Sequence, residues 1–409
     1  MKNPILICLI LLAFTVCGCS TRPTKTTLEF WTLQLNDFEP YITAKINEYE
    51  AIHPSIKIKW VDIPFSEGEK RTLSAVMSDN VPDIVNLTPS FSSTLQEKKV
   101  LLPIHAPLAN TYIAPVLTLC QSPEGYFAIP WYVTSSITIF NKDFLNNIGF
   151  QSPPKNTQKM LIFAQKMQKN SQKCTQNFYP KYLFMPNIAE DGKMLKIMAK
   201  QNVDLEDFFE SAKTIQTYEL YKSLYKQNLI PKGAINQTHR DSLEKYMSGE
   251  TAMLEAGANF LQTIEQNARN IYNQTDVTSQ QDLENGVVDI SLMNLVIPAK
   301  TRHPKEALDF ALFITNDKNQ LEFCKLAPVL PSSKIAIQDK FFKRTNTLID
   351  KGRKLSADQL QNAQKTQKLY PNQKEINEII DYTTQIILLD KKPIKEALQK
   401  GQQLYLKAR

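Results

Sequence analysis

The chain of 409 residues is 42% hydrophobic and 22% charged, with 23 Pro, 11 Gly and 6 Cys. That composition excludes a collagen, a disordered tail and a disulfide-stapled miniprotein, and the length suits two or three domains of roughly 100–200 residues. Basic residues exceed acidic ones by 48 to 41, a net charge of +7, but Arg stands only at positions 22, 71, 240, 269, 302, 344, 353 and 409. A nucleic-acid reader carries more Arg, clustered on one face, so the excess reads as solubility and no nucleic-acid partner is expected.

The chain opens with Met1-Lys2 and then an uncharged apolar run from Ile5 to Val16. This run is short of the ~20 apolar residues a membrane-spanning helix needs. It suits the h-region of a signal peptide. It ends Val16-Cys17-Gly18-Cys19-Ser20, which resembles a bacterial lipobox. Cys19, with Gly18 before it, fits the lipidated position. Cys17 fits poorly, because Val16 is too bulky for the cleavage position. The expected arrangement is a signal peptide over 1–18, a lipidated linker over 19–27 and a soluble extracytoplasmic body. Acyl chains on Cys19 would anchor that body to the cell membrane, on the periplasmic side or at the cell surface. Cys120, Cys174 and Cys324 remain. Three cannot all pair within one chain, so one bridge or none is open. No CxxC or His/Cys metal spacing occurs, and no metal or cofactor is expected.

Beyond the linker, Thr26 to Trp31 reads as a strand. Phe38, Ile42, Ile46 and Tyr49 recur at helical spacing, which predicts an amphipathic helix over Asp37 to Ile52 with Asp37 as N-cap. His53-Pro54 ends it. Ile56 to Trp60 alternates as a half-buried strand. Gly68 to Ser78 reads as a helix, and Asp83 to Leu87 as a short buried strand. This order implies an α/β domain with a largely parallel sheet. Ser135 to Asn141 is β-rich. Phe144 to Met167 holds a short helix, the Pro153-Pro154 break and a second helix. Met194 to Tyr225 is mostly helical, and further helices are expected over Asn236 to Met247 and Ala258 to Asn270. Asn273 to Glu284 is polar and loop-like. Val287 to Leu295 reads as a strand and Pro304 to Thr315 as an apolar helix. The last helices are expected around Ser356 to Leu369, Gln373 to Leu389 and Ile394 to Lys407.

Ordered segments along nearly the whole mature chain resemble the extracellular solute-binding proteins of ABC importers, in the group that serves sugars and maltodextrins. They are Leu28-Glu-Phe-Trp-Thr32, Asn47-Glu-Tyr-Glu-Ala-Ile-His-Pro54 with Ile56-Lys-Ile-Lys59, Pro82-Asp-Ile-Val-Asn86 and Val100-Leu-Leu-Pro-Ile104. Tyr126-Phe-Ala-Ile-Pro-Trp-Tyr132 with Ile139-Phe-Asn-Lys-Asp143 is the most specific stretch. Phe144 to Pro154 matches the usual leader to the second lobe. Met247-Ser-Gly-Glu-Thr-Ala-Met253, His303-Pro-Lys-Glu-Ala-Leu-Asp-Phe310, Pro328-Val-Leu-Pro-Ser332 and Lys391-Lys-Pro-Ile-Lys-Glu-Ala-Leu398 follow in order. Three departures stand out. Lys99 replaces the usual Gly before Val100, Phe260 stands where Trp is usual, and Leu292-Met293-Asn294 replaces a Gly pair.

The resemblance implies an α/β, two-lobed periplasmic-binding-protein-like fold of type II. Its lobes are discontinuous, 28–135 with 292–332 as lobe I and 136–291 with 333–409 as lobe II. Crossovers are expected near Thr134–Thr138, Asp289–Asn294 and Val329–Ser333. It also implies a substrate-binding lipoprotein, likewise monomeric, that captures a sugar or oligosaccharide in the interlobe cleft and delivers it to the permease's transmembrane subunits. A sugar needs aromatic faces and paired polar groups. By position, Trp31, Gln34, Ser90, Phe91, Trp131, Tyr132, Asn259, Phe260, Met293 and Asn294 are the candidate contacts. Trp60 alternates with Ile56 and Ile58 and reads as core, and Asp83 reads as structural. An enzyme is not expected: His53, His105, His239 and His303 are scattered, and neither HExxH nor GxSxG occurs. The alternative is a binder of the same fold for a glycerol phosphodiester or a polyamine. Those ligands call for cations or carboxylates that the candidate set lacks.

Overall fold

The computed structural model describes residues 25–171 and 180–408. The lipobox, with Cys19, and Cys174 lie outside the described residues. The strands are β1 (Thr26–Leu33), β2 (Ile56–Ile63), β3 (Ile84–Leu87), β4 (Gln121–Ser122), β5 (Gly125–Tyr126), β6 (Ile129–Asn141), β7 (Met253–Gly257), β8 (Thr275–Ser279), β9 (Ile290–Val296) and β10 (Leu330–Pro331). β4 and β5 form a small hairpin, and the other eight make one sheet in the order β10-β6-β9-β3-β1-β2, with β7 and β8 also paired to β6.

Lobe I is built on β1. It pairs in parallel with β2, Phe30 opposite Trp60, and with β3, Phe30 opposite Ile84. Alternation sends Leu28 and Phe30 into the core. The Phe30 ring lies 5.3 Å from Phe310 of the Pro304–Ile314 helix, which also meets Tyr49 of the Glu39–Ile52 helix at 5.0 Å. On the other face, the Phe65–Met77 helix comes so close that a Cβ on Gly68 would stand 2.5 Å from a Leu33 methyl. The Glu39–Ile52 helix begins later than expected. Asp37 caps nothing and lies in a short 3₁₀ turn over Asn36–Phe38. The donors there are satisfied from β2 instead, where the Asp62 carboxylate accepts from the Leu35 N–H at 2.9 Å and the Asn36 N–H at 2.9 Å. Pro40, in the first turn, has no N–H to satisfy. Asp83 is structural, its carboxylate accepting from the Glu29 N–H at 2.8 Å.

β6 makes the two lobes. Its first half, Ile129 to Ser135, runs antiparallel to β9, and its second half pairs with β7 and β8. The partners change at Ser135-Ser136, within the expected crossover. β9 supplies the second crossing and β10, paired to Tyr132 and Val133, the third. The Thr275–Ser279 segment, read as a polar loop, is strand β8. Only Val277 is apolar there, and pairing with β6 decides its conformation.

Two large cores flank this hinge. The first gathers Leu28, Phe30, Trp131, Leu295, Phe310 and Phe323. The second gathers Phe144, Met194, Met198, Phe208, Tyr218 and Ile380. A smaller cluster of Ile137, Leu254, Leu261 and Val277 lies under β6 beyond the hinge. The first core does not stop at 332. Ile337, Phe342, Ala357 and Leu360 pack into it. The chain after β10 turns back along lobe I, with Ser333 bridged to Tyr112. The Leu348–Gln361 helix then backs the hinge, its Gln359 side chain donating to the Ser136 carbonyl at 2.9 Å.

Candidate functional site: the cleft over the hinge strands

Residues directly opposite each other in antiparallel strands share a face. On β6 and β9 this gives Tyr132 opposite Met293 and Thr134 opposite Ser291. The next pair is Ser136 with Asp289, whose carbonyl accepts from the Ser136 N–H at 3.0 Å and whose carboxylate lies 3.4 Å from the Ser136 hydroxyl. Tyr132, Thr134, Ser136 and Met293 are half-buried and Ser291 is exposed. The intervening residues Val133, Ser135 and Leu292 are buried on the face that the Leu348–Gln361 helix backs. The floor of the cleft is therefore a ladder of a phenol, three hydroxyls, a thioether and a carboxylate.

At the lobe I end, burial lifts the Tyr132 phenol above its ordinary range and the Asp62 carboxylate adds to the effect. At the lobe II end, Asp289 lies 3.3 Å from the Lys193 ammonium. Burial alone would raise the Asp289 carboxyl, but Lys193, Lys200 and Lys196 outweigh it and hold it well below the usual range. Burial alone would lower Lys193, and Asp289, Glu255 and Glu190 outweigh that to raise it.

Beside the floor, an open cavity of about 880 Å³, counting the solvent at its mouth, separates the lobes. Thr88 and Ser90, just past the C-terminal end of β3, wall it on lobe I. Ser291 lies at its base, and Asp191, Lys196 and Tyr370 wall it on lobe II. Ligands in open α/β sheets bind outside the carboxyl ends of the strands, and this cavity has that position. Asp381 stands behind the lobe II wall and accepts from the Gly192 N–H at 3.1 Å. Burial, and then the neighbouring Asp191 carboxylate, push its carboxyl up to about 7.

The structure brings part of the expected set together. Tyr132 and Met293 are cross-strand neighbours on the floor, and Ser90 faces Ser291 across the cavity. Asn259 lines a gap beside Thr134 and Ser135 with Arg353. Phe260, at the start of the Phe260–Asn267 helix, is half-buried near His239, ring centres 6.3 Å apart, and His239 Nδ1 lies 3.3 Å from Glu190. Gln34 is exposed at the C-terminal end of β1 with φ +55°.

Four expected contacts lie elsewhere. Trp131 is fully buried, stacked on Phe323 at 5.6 Å. The register shift between Pro130 and Tyr132 makes it the extra residue of a bulge and turns its ring into the lobe I core. Asn294 is fully buried, accepting at its side chain from Ser92 and at its carbonyl from Asn86. Phe91 packs inside the Pro89–Glu97 helix against the same core. Trp31 lies against the Phe65–Met77 helix, its N–H donating to Glu29 at 2.6 Å and the Arg71 guanidinium 5.8 Å from its ring. Thr134, Ser136, Asp289, Ser291 and Lys193 were missed from sequence. The alternation Tyr132-Thr134-Ser136 is legible, but which β9 residues share its face depends on register.

No curated protein matches the chain. Among solved structures similar to it is a protein of Synechococcus sp. MITs9220 assigned as an oligosaccharide periplasmic-binding protein, 28% identical, with TM-score 0.83 over 93% of this chain and 99% of that one. The sugar-binding protein MalE of Xanthomonas citri is 18% identical, TM-score 0.75, over 92% and 96%. The GacH receptor of Streptomyces glaucescens GLA.O, whose structures include a complex with acarbose, is 15% identical, TM-score 0.74, over 94% and 98%. These last two bear on the fold, which is two-lobed like theirs. No helix among the described residues is long and apolar enough to cross a membrane. The profile of the bacterial extracellular solute-binding proteins matches residues 34–321, from the end of β1 through both crossovers of β6 and β9, and the chain belongs to that family of binding proteins rather than to an enzyme family.

Proposed function

We propose that this protein is the substrate-binding lipoprotein of an ABC importer. It captures a sugar or oligosaccharide between its lobes and delivers it to the transmembrane subunits of a permease. The observation that carries the reading is the cleft floor of Tyr132, Thr134, Ser136, Ser291 and Met293, with Asp289 already paired to Lys193. Neutral hydroxyls and a phenol can both donate and accept, as a sugar's hydroxyls require. Tyr132, Met293 and Phe260 offer apolar surface to the C–H faces of a ring. A glycerol phosphodiester would need unpaired cations here and a polyamine unpaired carboxylates, and the floor offers neither. The names of the similar proteins, which include oligosaccharide, sugar and acarbose binders, support the same class.

The residues that contact ligand in this reading are Gln34, Ser90, Tyr132, Asn259, Phe260 and Met293, with Thr134, Ser136 and Ser291. The hinge at Ser135-Ser136 closes the lobes on the ligand, which stabilises the closed state by its differential affinity for it. The permease recognises that state. The protein acts as a monomer, held by acyl chains on Cys19 at the membrane. The test is thermal unfolding of the processed chain with a panel of mono- and oligosaccharides. Ligand at 100 Kd stabilises by ~2.7 kcal/mol. A shift with polyamines or glycerol phosphodiesters, and none with any sugar, rejects the reading.

A further inference from the structure

The face of β6 that carries the cleft floor runs on, buried, past Ser136 into lobe II. The next residue of β6 on that face, Thr138, lies opposite Glu255 of β7. Beyond it a pocket of about 670 Å³, counting the solvent at its mouth, runs into lobe II. Lys193, His239 and Glu190 stand at that mouth, next to the Asp289 end of the floor. Its inner end is polar and deeply buried. Lys200 and Tyr221 are each 3% exposed, and both line it with Glu255. An ammonium has three N–H donors. That of Lys200 has one side-chain contact, Glu255 Oε1 at 3.5 Å. One wall is apolar, with Phe184, Met253 and Ile197.

The ionic groups of this pocket already have partners in the protein. Lys200 faces Glu255, Lys193 faces Asp289, and His239 lies against Glu190. Asp282 accepts from both the N–H and the hydroxyl of Thr157. An ionic ligand would have to displace one of these partners. A neutral ring with adjacent hydroxyls would find a carboxylate to accept from one and an ammonium to donate to the next, 3.5 Å apart, with the phenol of Tyr221 beside them. The apolar wall would take its C–H face.

We infer that this pocket is a subsite for the terminal ring of a di- or oligosaccharide, held by Lys200, Glu255 and Tyr221, while the rest of the ligand lies on the β6–β9 floor. This rests on the reading of the ligand as a sugar. With buried Lys200 and Tyr221 at its inner end, the pocket takes a chain end, so a monosaccharide alone fills only part of the site.

Titration calorimetry on the processed chain and on Lys200→Met, Glu255→Gln and Tyr221→Phe tests it. The probes are glucose, maltose, maltotriose, cellobiose, sucrose and trehalose. The wild type is expected to bind at least one di- or trisaccharide ten-fold or more tighter than glucose. Lys200→Met and Glu255→Gln should each weaken that sugar ten-fold or more, and Tyr221→Phe about three-fold. Tyr221→Phe and Glu255→Gln preserve shape and decide the matter if Lys200→Met does not fold. Wild-type affinity in the folded variants overturns the pocket while the sugar reading stands. So does glucose binding as tightly as every larger sugar. No binding of any probe by the wild type overturns both.

Discussion

The Asp289 carboxylate lies 3.3 Å from the Lys193 ammonium, and through this pair the second hinge strand is tied to the first turn of the Lys193–Lys200 helix. Both groups are largely out of solvent. Removing one leaves the other buried without its partner, which costs more than the pair contributes. Lys193→Met is therefore expected to destabilise the protein by roughly 3 kcal/mol. Lys193→Met with Asp289→Asn should recover most of it. Urea unfolding of the two single variants and the double variant measures the coupling, and strictly additive losses would show that the pair does not hold the helix.

Asp381 sets a pH dependence of the opposite sign to that of a paired carboxylate. Its folded-state pKa is raised from 3.8 to about 7, by burial first and then by Asp191. A carboxyl raised in the fold contributes stability that is complete below pH 3.8 and is lost as pH rises through about 7. Asp381→Asn keeps an acceptor for the Gly192 N–H and removes the charge. At pH 8 it is expected to exceed the wild type in stability by on the order of 2 kcal/mol, with the advantage gone at pH 4. Equal stability of the two proteins at pH 8 would contradict this.

Ser291 is exposed at the base of the interlobe cavity and its side chain carries no structural bond among those described. Ser291→Trp should fill the cavity and lower sugar affinity at least 100-fold. Its melting temperature should stay within a few degrees of wild type, as expected of a surface substitution. Retained affinity in a calorimetric titration would move the ligand away from β9.

Trp131 gives the reverse pattern. Its ring is packed among Phe30, Tyr132 and Phe323 and is fully buried. Trp131→Ala should cost about 3–5 kcal/mol of stability by opening a core cavity. Below its melting transition its sugar affinity should stay within a few-fold of wild type. A large affinity loss in folded protein would return Trp131 to the site.

Burial also explains the described cysteines. Cys120 and Cys324 are free and buried in the first core, and burial pushes both thiols up. A thiol-specific reagent is expected to leave both unmodified in the native protein and to label both after denaturation, as mass spectrometry of peptides would report.

The sequence by itself determined most of the element order and, through the resemblance of its ordered segments, the two-lobed α/β class. Periodicity is local, and a run such as Leu28-Glu-Phe-Trp carries its own signal for a strand with a buried face. It did not reveal that the polar run Thr275–Ser279 is a strand, since only its hydrogen-bonding neighbour β6 makes it one. Nor could it sort the aromatic and amide candidates into cleft and core. Trp131 and Tyr132 are adjacent in sequence and both rings reach Phe323, yet Trp131 is fully buried and Tyr132 only half-buried, a difference set at the bulge between Pro130 and Tyr132. Asn294 is likewise held inside by Ser92 and Asn86, which no spacing rule links to it. A strand's face is a property of its register with a partner, and register exists only once both strands are in place.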